Sequence, residues 1–178
     1  MTRVAGYKLI GTVLLIAAGN GATLEPVDVI KMIGYFRHMT AIYASTATAG
    51  DVQLECLHAQ LTEYDLDAGT GTYLWFVTDD DGKEMTITHQ ITKGDSPDEV
   101  TVVGSNDPEN PFTATVPYTD YRKCFILKSG DLGGQCMLWV NDEYKDHYPR
   151  KCTQKYKEYC GEGVLIYDKQ TCANQEDA

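Results

Sequence analysis

Cys124-Phe125-Ile126-Leu127 and Gln135-Cys136-Met137-Leu138-Trp139-Val140 are two apolar runs separated by the turn residues Ser129-Gly130-Asp131. In extended chain, side chains alternate between faces. If Cys124 and Cys136 face outward, Ile126, Leu138 and Val140 join them, and Phe125, Leu127, Met137 and Trp139 point the other way. A partner for the outward face follows at residues 149–160, which begin with Pro149, are followed by Gly161 and hold no β-branched run. That is helix punctuation. Cys152, Tyr156 and Cys160 recur at i, i+4 and i+8, so they share one stripe while the lysines face water. The ribbon and this helix therefore predict a sheet whose outer wall is covered by a sulfur-bearing helix and whose inner face encloses an interior.

The residues upstream repeat the strand pattern. Runs rich in β-branched and aromatic residues predict strands near 37–45, 53–64, 71–78, 83–92, 98–104, 111–118, 121–128 and 135–141. Between them stand turn-type clusters such as 67–71, Asp79-Asp80-Asp81-Gly82, 93–97 and Asn106-Asp107-Pro108. Eight strands joined by short turns predict an all-β, up-and-down antiparallel barrel, which leaves no open edge. A short helix is expected before the first strand, opened by Pro26, with Val27, Ile30, Ile33 and Gly34 on its apolar stripe. Val164-Leu165-Ile166-Tyr167 reads as a last short strand, tethered through Cys172.

The start of the chain bears on compartment. Arg3 and Lys8 precede an apolar run over residues 9–18, and small residues follow to Ala22. A basic head, an apolar centre and a small-residue exit predict a secretory signal peptide over residues 1–22 and one domain over 23–178. The run is about half the ~20 residues that span a bilayer. Removing residues 1–22 leaves 13 basic and 26 acidic side chains, a formal net charge of −13. That charge repels phosphate backbones and anionic lipid surfaces, so neither nucleic acid nor membrane is an expected partner. The six cysteines all lie beyond the signal, and an even count in an exported chain predicts three disulfides. None of their spacings is a CxxC, so no metal site is expected. No Asn-x-Ser/Thr acceptor is present, and no N-glycan is expected.

Taken together, residues 118–124 (Tyr-Thr-Asp-Tyr-Arg-Lys-Cys), Cys136-Met137-Leu138-Trp139, the helix from Pro149-Arg150-Lys151-Cys152 to Tyr156, and Thr171-Cys172 resemble the tick salivary lipocalins of the histamine-binding protein family. Cys56 in the second strand fits the same pattern, and the resemblance spans roughly 27–172. It implies a lipocalin barrel with a flanking C-terminal helix, secreted in saliva to sequester host mediators and blunt inflammation and immunity. Sequence alone leaves fifteen pairings open among six cysteines. The resemblance implies Cys56–Cys172, Cys124–Cys152 and Cys136–Cys160.

Amine-binding members of that family carry an acid directly after the cysteine matching Cys124, another before the Leu-Trp, and a third on the preceding strand. This chain holds Phe125, Met137 and, near the third, Ala114. A buried ammonium needs a carboxylate partner. Trp139 offers a π face worth only about 0.5–2 kcal/mol to a cation, too little to replace two carboxylates. The expected binding set is instead Phe125, Leu127, Met137 and Trp139 with Tyr73, Trp75, His89 and Phe112. Alternation adds Leu57, Ala59, Leu61, Val77, Met85, Ile87 and Val116 to the inward face. His89 and Tyr73 are the candidate polar handles. His38, His58 and His147 are read as ordinary surface or satisfied residues, Asp79-Asp80-Asp81 as a solvated hairpin tip, and Gly69-Thr70-Gly71 as a turn.

These features favour a monomeric scavenger of an amphipathic mediator, fatty acid or sterol, with no cofactor and no catalysis. One alternative is a carrier of histamine or serotonin that uses other acids, such as Glu63 or Asp65. A second is an inhibitor whose loops bind a host defence protein. An enzyme is disfavoured, since no Ser-His-Asp order, metal spacing or paired buried carboxylates can be argued.

Overall fold

The computed structural model describes residues 26–130 and 134–173. The expected signal segment lies outside them. Among the described residues no helix is long and apolar enough to cross a membrane.

The chain opens with α1 (Val29–Ile33), followed by β1 (His38–Ala44), β2 (Thr48–Ala49), β3 (Val52–Asp65), β4 (Thr70–Asp79) and β5 (Glu84–Lys93). Then come β6 (Glu99–Gly104), β7 (Asp107–Thr119), β8 (Cys124–Ser129), β9 (Cys136–Asn141), α2 (Arg150–Cys160), β10 (Val164–Leu165) and α3 (Lys169–Cys172). Antiparallel pairing runs in chain order from β3 to β9, and β1 pairs with both β9 and β3. The eight strands β1 and β3–β9 thus close into the up-and-down barrel expected from the turn spacing. The short β2 and β10 are appended to β3 and β1.

Boundaries depart from the sequence reading where side chains cap the backbone. The first helix starts at Val29 rather than at Pro26, because Asp28 accepts a hydrogen bond from Lys31 N at 3.0 Å and serves as its N-cap. β8 starts at Cys124 rather than near 121. Asp120 Oδ1 accepts from the amides of Arg122, Lys123 and Cys124, which holds residues 120–123 as a loop. β7 begins at Asp107, so only Ser105 and Asn106 separate it from β6 where a wider break was expected.

Two apolar clusters lie on opposite sides of the β8–β9 ribbon. Cys124, Ile126, Cys136, Leu138 and Val140 pack outside with Cys152 and Tyr156 of α2, while Phe125, Met137 and Trp139 belong to the interior core. Phe125 pairs with Trp139 and Ile126 with Leu138, so the facing inferred from alternation holds. The disulfides are Cys56–Cys172, Cys124–Cys152 and Cys136–Cys160, the pairs that the family resemblance implies. In β3, Cys56 takes a left-handed φ of 60° within a register shift between Gln53 and His58. This bulge turns Cys56 to the outer cluster while Leu54 and Leu57 both enter the interior. Gly163 follows α2 where a Cβ would collide with the Tyr156 hydroxyl and the Ala44 carbonyl, so only glycine lets the tail pass there.

Candidate functional site

The interior is closed at one end by α1. Val29, Ile30, Met32, Ile33 and Phe36 are all buried in the barrel core. Hydroxyl groups from three places along the chain fasten this plug. Tyr64 donates to Ile30 O at 3.0 Å, Tyr73 donates to Phe36 O at 2.7 Å, and Tyr121 accepts from Asp28 N at 2.8 Å. Val29 N donates to Pro97 O at 2.8 Å. Burial raises the Tyr73 pKa well above its ordinary value, so the phenol stays protonated and keeps donating.

Beneath the plug, six aromatic rings run across the barrel. Phe36 meets Phe125 edge-on at 4.8 Å, Phe125 stacks parallel to Trp139 at 6.4 Å, and Trp139 tilts against Trp75 at 5.0 Å. Trp75 lies 4.4 Å from His89, which meets Phe112 edge-on at 6.3 Å. Such contacts each add roughly 0.5–1.5 kcal/mol beyond the area they bury.

A cavity of about 50 Å³ lies between this line and α1. Six of the eight residues expected to bind ligand line it: Phe125, Leu127, Tyr73, Trp75, His89 and Phe112. Met137 and Trp139 also point inward but are fully buried and border neither interior space; they fill the barrel. A second space of about 10 Å³, toward the opposite end, shares Trp75 and His89 with the first. Met85 was expected inside, yet it is 36% exposed; the β5–β6 ladder covers only His89–Lys93, so at Met85 the strand has no β6 neighbour to cover it. The sequence reading missed Val29, Met32 and Ile33 from the plug, Met39, Ile91, Val100 and Val102 from the strands, and Ser129 at the end of β8. The plug carries a helical stripe that was legible, but no local signal says it faces into a barrel.

None of the residues lining either space is Asp, Glu, Lys or Arg. All three positions at which the family resemblance leads acids to be expected in an amine carrier are interior here: Phe125 is 3% exposed, Met137 0% and Ala114 1%. Glu63 and Asp65, the acids of the amine alternative, are exposed. Glu63 accepts from Thr72 Oγ1, and Asp65 accepts from Ala68 N in a turn.

His89 is 4% exposed and its Nδ1 has no partner among the described residues; the same holds for Trp139 Nε1. Desolvation lowers the His89 pKa from 6.5 to about 4, so the ring is neutral near pH 7. The other histidines lie elsewhere: His38 and His147 are exposed, and His58 stacks on Phe76 at 4.7 Å. Asp79 Oδ1 accepts from Asp81 N and Lys83 N, so that acid shapes the hairpin tip. Asp120 lies close to Cys124 and Cys152, but those sulfurs are joined in a disulfide and are not ligands.

Outside the barrel, a groove of about 680 Å³ runs along the outer face of β3, β4 and β5. The stacked His58 and Phe76 form part of its wall, and Glu55, Glu84, Asp142 and Lys145 also line it.

A family model described as tick histamine binding protein matches residues 38–174. No curated protein matches the chain by sequence. Among solved structures, Japanin from Rhipicephalus appendiculatus, in its cholesterol-bound form, is similar with a TM-score of 0.56 and 14% identity. That match covers 75% of this chain and 94% of Japanin. H1 crustacyanin from the lobster Homarus americanus is similar with a TM-score of 0.57 and 12% identity, covering 81% of this chain and 83% of that one. Lobster apocrustacyanin A1 gives 0.52 and 11%, covering 77% and 80%. These likenesses establish the lipocalin-type barrel. The family match extends over most of the chain, and the chain belongs to the tick histamine-binding protein family.

Proposed function

We propose that this protein is secreted, that it captures an apolar or amphipathic host mediator inside its barrel, and that it lowers the mediator's free concentration without chemistry. One observation carries the reading: the interior is lined entirely by uncharged residues, with Phe125, Met137 and Ala114 where an amine carrier has acids. A lone ammonium moved into such a lining forfeits several kcal/mol of hydration with no carboxylate to offset it. Japanin, which shares the fold, is bound to cholesterol. The three disulfides suit an oxidising, extracellular setting.

The interior space of about 50 Å³ is smaller than the roughly 150 Å³ that accepts benzene, and far below the ~300–1,000 Å³ of sites for larger ligands. Ligand entry therefore requires the lining to yield. Met32 of the plug and Met39 of β1, both in the lining, have flexible thioether side chains that can repack around a guest.

The chain's two tryptophans, Trp75 and Trp139, are both in the interior core, so intrinsic fluorescence reports on that space. The expected result is a fluorescence change with lipid mediators and none with histamine or serotonin, together with lipid extracted from the protein and identified by mass spectrometry. Histamine binding at micromolar affinity or tighter in calorimetry would overturn the reading.

A second reading, engagement of a basic surface on a host protein, is favoured by the outer groove with its three carboxylates and aromatic wall. Pull-down from host plasma with the native chain and with Glu55→Lys/Glu84→Lys tests it. Capture of the same host protein by both forms would sink it.

A further inference from the structure

We propose that the barrel selects a neutral ligand bearing a single hydroxyl or carbonyl group, and that His89 is the residue that recognises it. This rests on the interior site proposed above and narrows its ligand class.

Two facts about the lining set the charge of the guest. It has no carboxylate for an ammonium, and it has no lysine or arginine for a carboxylate. Either ion would be buried without a counter-charge, which disfavours it strongly against a neutral molecule of the same shape. His89 does not supply the missing cation, because its desolvated ring is neutral near pH 7. A fatty acid anion is therefore as poorly served as an amine.

The polar group of the guest is set by what remains unsatisfied. Tyr73 has committed its proton to Phe36 O. His89 Nδ1 is buried and has no partner among the described residues, and an unpaired buried nitrogen carries a desolvation penalty that a ligand can relieve. Position adds to this. His89 sits opposite Tyr73 on β4 and borders both interior spaces, so a guest that joins them passes its ring. A neutral imidazole nitrogen accepts from a hydroxyl in one tautomer and donates to a hydroxyl or carbonyl oxygen in the other. The complementary molecule is a hydrophobic body with one neutral hydrogen-bonding group.

Four probes of one chain length separate the possibilities: dodecane, dodecan-1-ol, dodecanoate and dodecylammonium, titrated at pH 7 into the full, disulfide-bonded chain with tryptophan emission as readout. Dodecan-1-ol is expected to bind about tenfold more tightly than dodecane, the worth of one hydrogen bond, and about 100-fold more tightly than either ion. In His89→Phe the alcohol loses its advantage over dodecane, and in His89→Gln, which keeps a hydrogen-bonding amide, the advantage persists. Should His89→Phe fail to fold, the wild-type ranking and His89→Gln decide. Equal binding of all four probes, an ion at least as tight as the alcohol, or an undiminished alcohol preference in His89→Phe would each overturn the assignment and leave the interior site standing. Binding of none of the four removes the interior site, and this inference falls with it.

Discussion

The two faces of the β8–β9 ribbon are built to different rules. On the outer face, Cys124 and Cys136 are bonded to α2, Tyr43 stacks on Tyr156 at 5.5 Å, and the Tyr156 hydroxyl donates to Cys136 O. On the inner face no covalent tie exists: aromatic rings, methionines and an unsatisfied imidazole share a space that is almost, but not wholly, filled. A barrel proposed to take its ligand inside its own core cannot rely on perfect internal packing for stability. Here stabilisation is displaced to the wall, where sulfur bridges and a helix hold the strands without entering the interior.

That contrast can be broken from the outside first. Replacing Cys56 and Cys172 with serine releases a closure of 116 residues, which chain entropy values at about 4–5 kcal/mol. Chemical denaturation should show that loss, the largest expected, while the serine variant's interior ligand preference is unchanged wherever it remains folded. Next in size is the interior itself. Trp139→Ala removes the largest fully buried side chain, and thermal or urea unfolding should record a cost of about 3–5 kcal/mol. The same variant enlarges the interior space, so it should bind dodecane and dodecan-1-ol better than the native chain does. A variant that is destabilised without any gain in binding would mean that the chamber collapses around the vacancy.

The third test uses pH. The folded-state pKa of His89, about 4, lies below its ordinary 6.5, so between these values the unfolded chain binds a proton that the folded chain refuses. Stability from this group is complete above pH 6.5 and falls as pH drops toward 4, by about 3 kcal/mol in all. Unfolding curves of the native chain and His89→Phe at pH 7 and pH 4.5 should therefore diverge, the variant losing less on acidification. Parallel pH dependence in the two proteins would contradict the burial of a neutral ring. The smallest expected effect is at the plug. Asp28→Ala removes the N-cap of α1 and should cost about 1 kcal/mol, with faster amide exchange confined to residues 29–33.

How much of this was legible in the sequence follows the same divide. The facing of Phe125, Met137 and Trp139 could be read because strand alternation and a helical stripe of cysteines constrain each other over a short stretch of chain. The role of α1 could not, since its burial depends on Tyr64, Tyr73 and Tyr121, which lie 34 to 93 residues from their partners. Likewise nothing local in Trp75, His89 or Phe112 announces that they join one line of rings. At Asn106-Asp107-Pro108 turn chemistry was read correctly but too broadly. Pro108 sits inside β7 next to Asp107, which pairs with Gly104, so the missing amide of proline did not end the strand.

The bulge at Cys56 has one more consequence. The ladder from β1 to β3 stops at the Thr40–His58 pair, and beyond it the amide of Cys56 bonds instead to the carbonyl of Ile166, while Ile166 N bonds to Ile42 O on β1. The tail thus supplies the rung missing from the seam, and Cys172 rivets it in place. Cutting the chain before residue 164 would bare an unpaired stretch of strand at that gap, the kind of edge on which a neighbouring molecule can add itself and from which aggregation starts.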